Sequence, residues 1–167
     1  MESVKKVLVP TDFSVKSLNL VVDIIEQSKE EKLEIVLLHG IDISASIPEI
    51  LFFSRAKLLR SLQTPEFVDS CNLIKNKFQS RIVSMYADII TGHSRAYFNN
   101  YIDANDIDEI YIPVSYRMEF KNKQSFDVCD LLKKVSVKKV EINWPEYLHH
   151  HTVPTGQMAD LFLARID

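Results

Sequence analysis

The sequence predicts an α/β domain with a mainly parallel five-stranded sheet covered on both faces. Two observations predict it. Short continuous apolar runs, Val7 to Val9 and LEIVLLHG (33–40), read as strands buried on both sides rather than half-exposed ones, which would alternate. Between such runs lie segments whose apolar residues recur at helical spacing, and the two kinds alternate as far as residue 143. Alternation of this kind builds a parallel sheet sandwiched between helices.

The elements follow in order. Residues 5–10 form the first strand, ended by Pro10, which lacks an N–H and restricts the residue before it. Asp12 or Ser14 then caps a helix whose stripe is Leu18, Val21, Val22 and Ile25, at i, i+3, i+4 and i+7. The second strand, 33–40, completes a βαβ unit, right-handed by default. A helical crossover comes next. Pro48 opens a helix carrying Ile50, Leu51, Phe52, Leu58, Leu59 and Leu62. Thr64-Pro65-Glu66 starts another, with stripe Phe67, Cys71, Ile74 and Phe78. Residues 81–87 are the third strand. Phe98, Tyr101 and Ile102 face inward from the helix after it, and IDEIYIPV is the fourth strand. SFDVCDLLKKV reads as a helix capped by Ser125, and VKKVEIN as the fifth strand.

Composition narrows the function classes. Of 167 residues, 46% are apolar and 26% charged, ordinary for a soluble globular protein, and a formal charge of -3 argues against a general nucleic-acid binder. Cys71 and Cys129 belong to no CxxC motif and sit in apolar helical patterns, which predicts buried free thiols. The opening MESVKKVLVP holds no long apolar signal region and no run approaches a membrane span, so the expectation is a cytoplasmic protein without a membrane partner.

The stretch KKVLVPTDFS (5–14) places a hydroxyl and a carboxylate, Thr11 and Asp12, just past the carboxyl end of a strand. Open α/β sheets bind ligands there. VLVPTDFS followed by an amphipathic helix resembles the opening of the universal stress protein family, and the order and spacing of the five strands extend the resemblance over roughly residues 4–143. The resemblance implies a three-layer αβα Rossmann-like sandwich, sheet order 3-2-1-4-5, frequent homodimers and, in many members, no established reaction. It also implies two parts to the chain: a family-like domain, 1–143, and a C-terminal extension, 144–167.

One branch of that family binds ATP through a glycine-rich loop after the fourth strand. On IYIPVSYRMEFKNKQSF its glycine positions fall at Pro113, Tyr116 and Gln124, with Ser125 beside the last. Glycine lets a backbone approach phosphate and adopt positive φ, whereas proline removes a donor and tyrosine adds bulk. The three glycines of the chain, Gly40, Gly92 and Gly156, all lie elsewhere. Asp12 matches the family's adenosine-side aspartate and Ser125 a phosphate-side hydroxyl, although both residue types also suit helix caps. The expectation is therefore a protein without a cofactor, acting through protein association, with Pro113 and Tyr116 reshaping the pocket mouth and the Tyr116 hydroxyl facing water. The alternative is a binder of ATP, AMP or another small anion, less readily a nucleotide hydrolase. It would use Thr11, Asp12, His39 and Ser125 with the basic Arg117, Lys121 and Lys123, residues that also suit a solvated loop.

Other chemistry is thinner. His39 ends the second strand and can approach Asp12, but His39, Asp12 and Ser14 do not assemble into a nucleophile–base–orienter set on sequence alone. His149, His150 and His151 are consecutive and point in different directions, so no metal site is expected. VKKVEIN belongs at a sheet edge, where Val137, Val140 and Ile142 supply apolar side chains for a homodimer. The tail carries Met158, Leu161, Phe162 and Ile166 on one side of a short helix, fit to cover the domain or a partner.

Overall fold

Val7, Leu8 and Val9 lie on a central strand, at most 1% exposed, which explains why the first apolar run has no alternation. The computed structural model describes residues 3–28, 32–43 and 54–143. Its elements are β1 (Val4–Pro10), α1 (Leu18–Gln27), β2 (Lys32–Ile41), α2 (Arg55–Leu62), α3 (Pro65–Lys77), β3 (Ile82–Ile90), α4 (Arg95–Ala104), β4 (Glu109–Val114), β5 (Ser125–Phe126), α5 (Cys129–Leu132) and β6 (Lys138–Asn143).

The long strands lie in the order β3-β2-β1-β4-β6, all parallel. This is the expected 3-2-1-4-5 order, with the last strand counted sixth because β5 intervenes. Strand pleating divides the core. Val7, Val9, Ile35 and Leu37 face the α1 and α3 side with Phe67 and Ile74, while Leu8, Val36 and Leu38 face α4 and α5 with Phe98, Ile102 and Leu132. The α1 stripe, Leu18, Val21, Val22 and Ile25, is buried throughout. At α3, Thr64 Oγ1 accepts the Phe67 N–H at 3.2 Å and Pro65 takes the first position, as the sequence predicts. Leu58, Leu59 and Leu62 of α2 are only half-buried.

Several expectations need correction. The helix through SFDVCDLLKKV shrinks to a single turn, and Ser125 caps nothing: with Phe126 it pairs antiparallel to Gly40 and Ile41 at the end of β2. Asp127 Oδ1 instead takes the Cys129 N–H at 2.9 Å. The cause is tertiary, since Phe126 packs against the core on the α4 side and draws its backbone onto β2. Cys129 is buried as expected, but Cys71 is half-buried; burial pushes both thiols upward, Cys71 to about 12. At the β6 edge, Ile142 is buried in its own domain's core, Val140 is packed partly against that core, and Val137 precedes the strand. Pro48, Ile50, Leu51 and Phe52, the three consecutive histidines and the apolar stripe of the tail lie outside the described residues.

Candidate functional site

Beyond β1 the chain makes a tight polar turn. The Thr11 N–H donates to Leu38 O at 2.9 Å, anchoring the turn to β2. Phe13 adopts φ 61°, the left-handed region that a bulky residue enters only when its surroundings demand it. Three contacts meet that demand: its N–H donates to Thr11 Oγ1 at 3.0 Å, its ring sits 4.5 Å from the His39 ring, and it meets Phe67 edge-on at 5.3 Å. The turn aims Asp12 into the space above the sheet.

Both Asp12 oxygens are occupied by the chain itself. Oδ1 accepts the Ser14 N–H at 3.0 Å and the Ser14 Oγ–H at 2.6 Å. Oδ2 accepts the Tyr116 Oη–H at 2.6 Å and the Glu119 N–H at 3.0 Å. Both hydroxyl protons being committed to the carboxylate, the 3.2 Å approach of Ser14 Oγ to Tyr116 Oη is secondary. Ser14 Oγ also accepts the Ser17 N–H at 3.1 Å, so Ser14 rather than Asp12 serves the turn leading into α1. The Tyr116 hydroxyl therefore points inward, not toward water as the sequence suggests. Burial, then the Asp12 charge, raises its pKa. A carboxylate held away from water must be given hydrogen-bond donors, and the phenol is one of them.

Residues 115–126 arch over the carboxyl ends of β1 and β2. The arch starts at Ser115, φ 66°, and lands where β5 pairs with β2; the Asp42 N–H adds a bond to Gln124 O at 2.8 Å. Gly40 makes the landing possible, because a Cβ there would stand 2.6 Å from Phe126 Cε2 and 2.8 Å from Val128 Cγ1. Phe120 meets the His39 ring edge-on at 5.5 Å.

His39, 2% exposed, bridges turn and arch. Its Nδ1 lies 2.9 Å from Thr11 O and its Nε2 2.7 Å from Ser125 Oγ. A carbonyl only accepts, so Nδ1 carries the proton and Nε2 presents its lone pair to the Ser125 hydroxyl. Burial lowers the His39 pKa against the Thr11 carbonyl and the Asp12 charge, which pull it up.

The structure thus brings together Thr11, Asp12, His39, Tyr116 and Ser125. Pro113 sits in β4 opposite Ile142, Gln124 gives its carbonyl to Asp42, and Arg117, Lys121 and Lys123 are exposed on the arch. Sequence reasoning missed Phe13, Phe120, Phe126 and the Glu119 N–H. Aromatics spaced through an otherwise basic loop were the available signal. No group of three or more potential metal ligands occurs among the described residues, and no described helix is long and apolar enough to cross a membrane.

No protein-family model matches the chain, and no curated protein does. Solved structures do. The hypothetical protein MJ0577 superposes with TM-score 0.52 at 21% identity, covering 85% of this chain and 97% of that one. The universal stress protein UspA of Lactobacillus plantarum gives TM-score 0.49 at 12% identity over 83% and 97% of the two chains. A universal stress protein family protein of Arabidopsis thaliana, solved with AMP bound, gives 0.47 at 16% over 86% and 94%. The likeness to MJ0577, at 21% identity, shows the αβα fold alone.

Proposed function

We propose that the chain is a divergent universal-stress-like protein with a stress-related or regulatory role exercised through protein association rather than catalysis. The observation that carries this reading is the saturation of Asp12 by Ser14, Tyr116 and the Glu119 N–H. A nucleotide seeking Asp12 must displace all of the donors on Oδ2 and lift the arch, and each bond to a charged acceptor contributes roughly 1.5–3 kcal/mol. Assembly through the β6 edge, the outermost strand beside β4, supplies the associating surface in this reading, with Lys138 and Lys139 at the rim.

Calorimetric titration of the full chain with ATP, ADP and AMP tests the closed site, and no micromolar binding is expected. Micromolar affinity that falls on Asp12→Ala would overturn the reading in favour of the ligand-binding alternative, which the exposed Arg117, Lys121 and Lys123 support through their charge. Light scattering tests association: a chain that stays monomeric at tens of micromolar removes the homodimer.

A further inference from the structure

We propose that Ser125 is a nucleophilic serine, activated by His39 as its general base, that accepts an acyl group from a small activated ester. The geometry has the parts such a pair needs. Ser125 Oγ is 2.7 Å from His39 Nε2, within the reach required for proton transfer. The opposite ring nitrogen is held by Thr11 O at 2.9 Å, which fixes the tautomer that leaves Nε2 free to accept a proton. Phe13 and Phe120 confine the imidazole from two sides, so the ring holds its orientation.

The imidazolium formed on proton transfer has compensation. The Asp12 charge and the Thr11 carbonyl both favour protonated His39 while burial disfavours it, so the base is neutral at rest and tolerates the proton transiently. Ser125 itself is half-buried and presented from the turn that begins at Asn122, whose carbonyl takes the Ser125 N–H at 3.1 Å.

The step balances without redox change. Oγ bonds to the ester carbonyl carbon as the carbon–alkoxy bond breaks. The hydroxyl proton passes to Nε2 and then to the departing alkoxide, leaving acyl-Ser125 and an alcohol. One acyl group is accepted per chain, so the inference is a modification chemistry independent of the association reading.

The test uses the full chain and p-nitrophenyl acetate, following p-nitrophenolate release and locating acetyl groups by peptide mass spectrometry. The expected result is one acetyl on Ser125, formed at least about 100-fold faster than on exposed Ser80, the size of effect a positioned base supplies. Ser125→Ala should abolish that fast phase, and His39→Gln should slow it by about 100-fold. Acetyl groups confined to Lys121 and Lys123, or an unchanged rate in His39→Gln, overturn the proposal. If His39→Gln does not fold, the Ser125 to Ser80 rate ratio in the unmodified chain decides alone, and a ratio near one refutes it.

Discussion

The two ends of the same sheet each hold a buried carboxylate, and they satisfy it in opposite ways. At the amino end, Glu109 of β4 is 4% exposed and Oε1 takes Lys5 Nζ at 3.1 Å and Lys138 Nζ at 2.6 Å, so β1, β4 and β6 are joined by ionic contacts. At the carboxyl end, Asp12 is 6% exposed and is served by two hydroxyls and two backbone N–H groups. Lysine stems reach Glu109 from the neighbouring strands themselves, so the amino end needs no loop folded over its carboxylate. Neutral donors must be carried to the carboxylate by the chain itself, so the carboxyl end needs an arch, two left-handed residues and a glycine landing. A buried charge can thus be closed off by the chain's own neutral donors as well as by counter-charge, and only the first places a loop over the carboxyl ends of the strands.

The largest break in this comparison is Asp12→Ala. It removes the carboxylate that accepts from both the Tyr116 hydroxyl and the Glu119 N–H and should cost about 3 kcal/mol in urea unfolding. A loss below about 1 kcal/mol would mean that the arch does not depend on the carboxylate. Next comes Gly40→Ala, whose Cβ meets Phe126 and Val128. It should cost about 2 kcal/mol and expose residues 115–126 to proteolysis, because overpacking moves the element that can move. Intact resistance to protease would show that β5 is not the landing site.

Glu109→Gln is the smallest, about 1 kcal/mol, because Lys138 is two-thirds exposed and its charge remains solvated. That loss should shrink in high salt, whereas the Asp12 effect should not. Acid sharpens the contrast. Burial opposes the Glu109 charge, but hydrogen bonds from Lys138 and Lys5 prevail and hold its pKa below the ordinary 4.5. The unfolded chain therefore binds the proton first as pH falls, and the Glu109 contribution, present above 4.5, disappears below it. His39 is also lowered, from 6.5, so at the carboxyl end the unfolded state takes up a proton first and stability begins to fall below about 6.5. Urea midpoints followed across pH should lose the upper slope in His39→Gln and the lower one in Glu109→Gln. Coincident slopes in all three proteins would separate neither end from the other.

Local signals account for the frame of the molecule. Continuous apolar runs placed the strands, the Leu18 to Ile25 stripe placed α1, and Thr64-Pro65 placed the start of α3, because each depends on residues within a few positions of one another. The Asp12 turn was legible for the same reason: proline, hydroxyl and carboxylate stand side by side. The SFDVCDLLKKV segment reads as a longer helix because its local pattern is helical, while its conformation is settled by Gly40, more than eighty residues away, which leaves room for Phe126.

Residues near one another in the chain suffice for the αβα class, for the strand order once the family resemblance is added, and for a loop after β4 that holds no glycine. How that loop closes over the sheet is set by contacts between distant parts of the chain. The inward turn of Tyr116 onto Asp12, the meeting of His39 with Ser125 and the antiparallel docking of β5 each join residues between 84 and 104 positions apart. No periodicity carries information over such separations, since those contacts are chosen by which donors, acceptors and apolar rings remain unsatisfied after the sheet has formed.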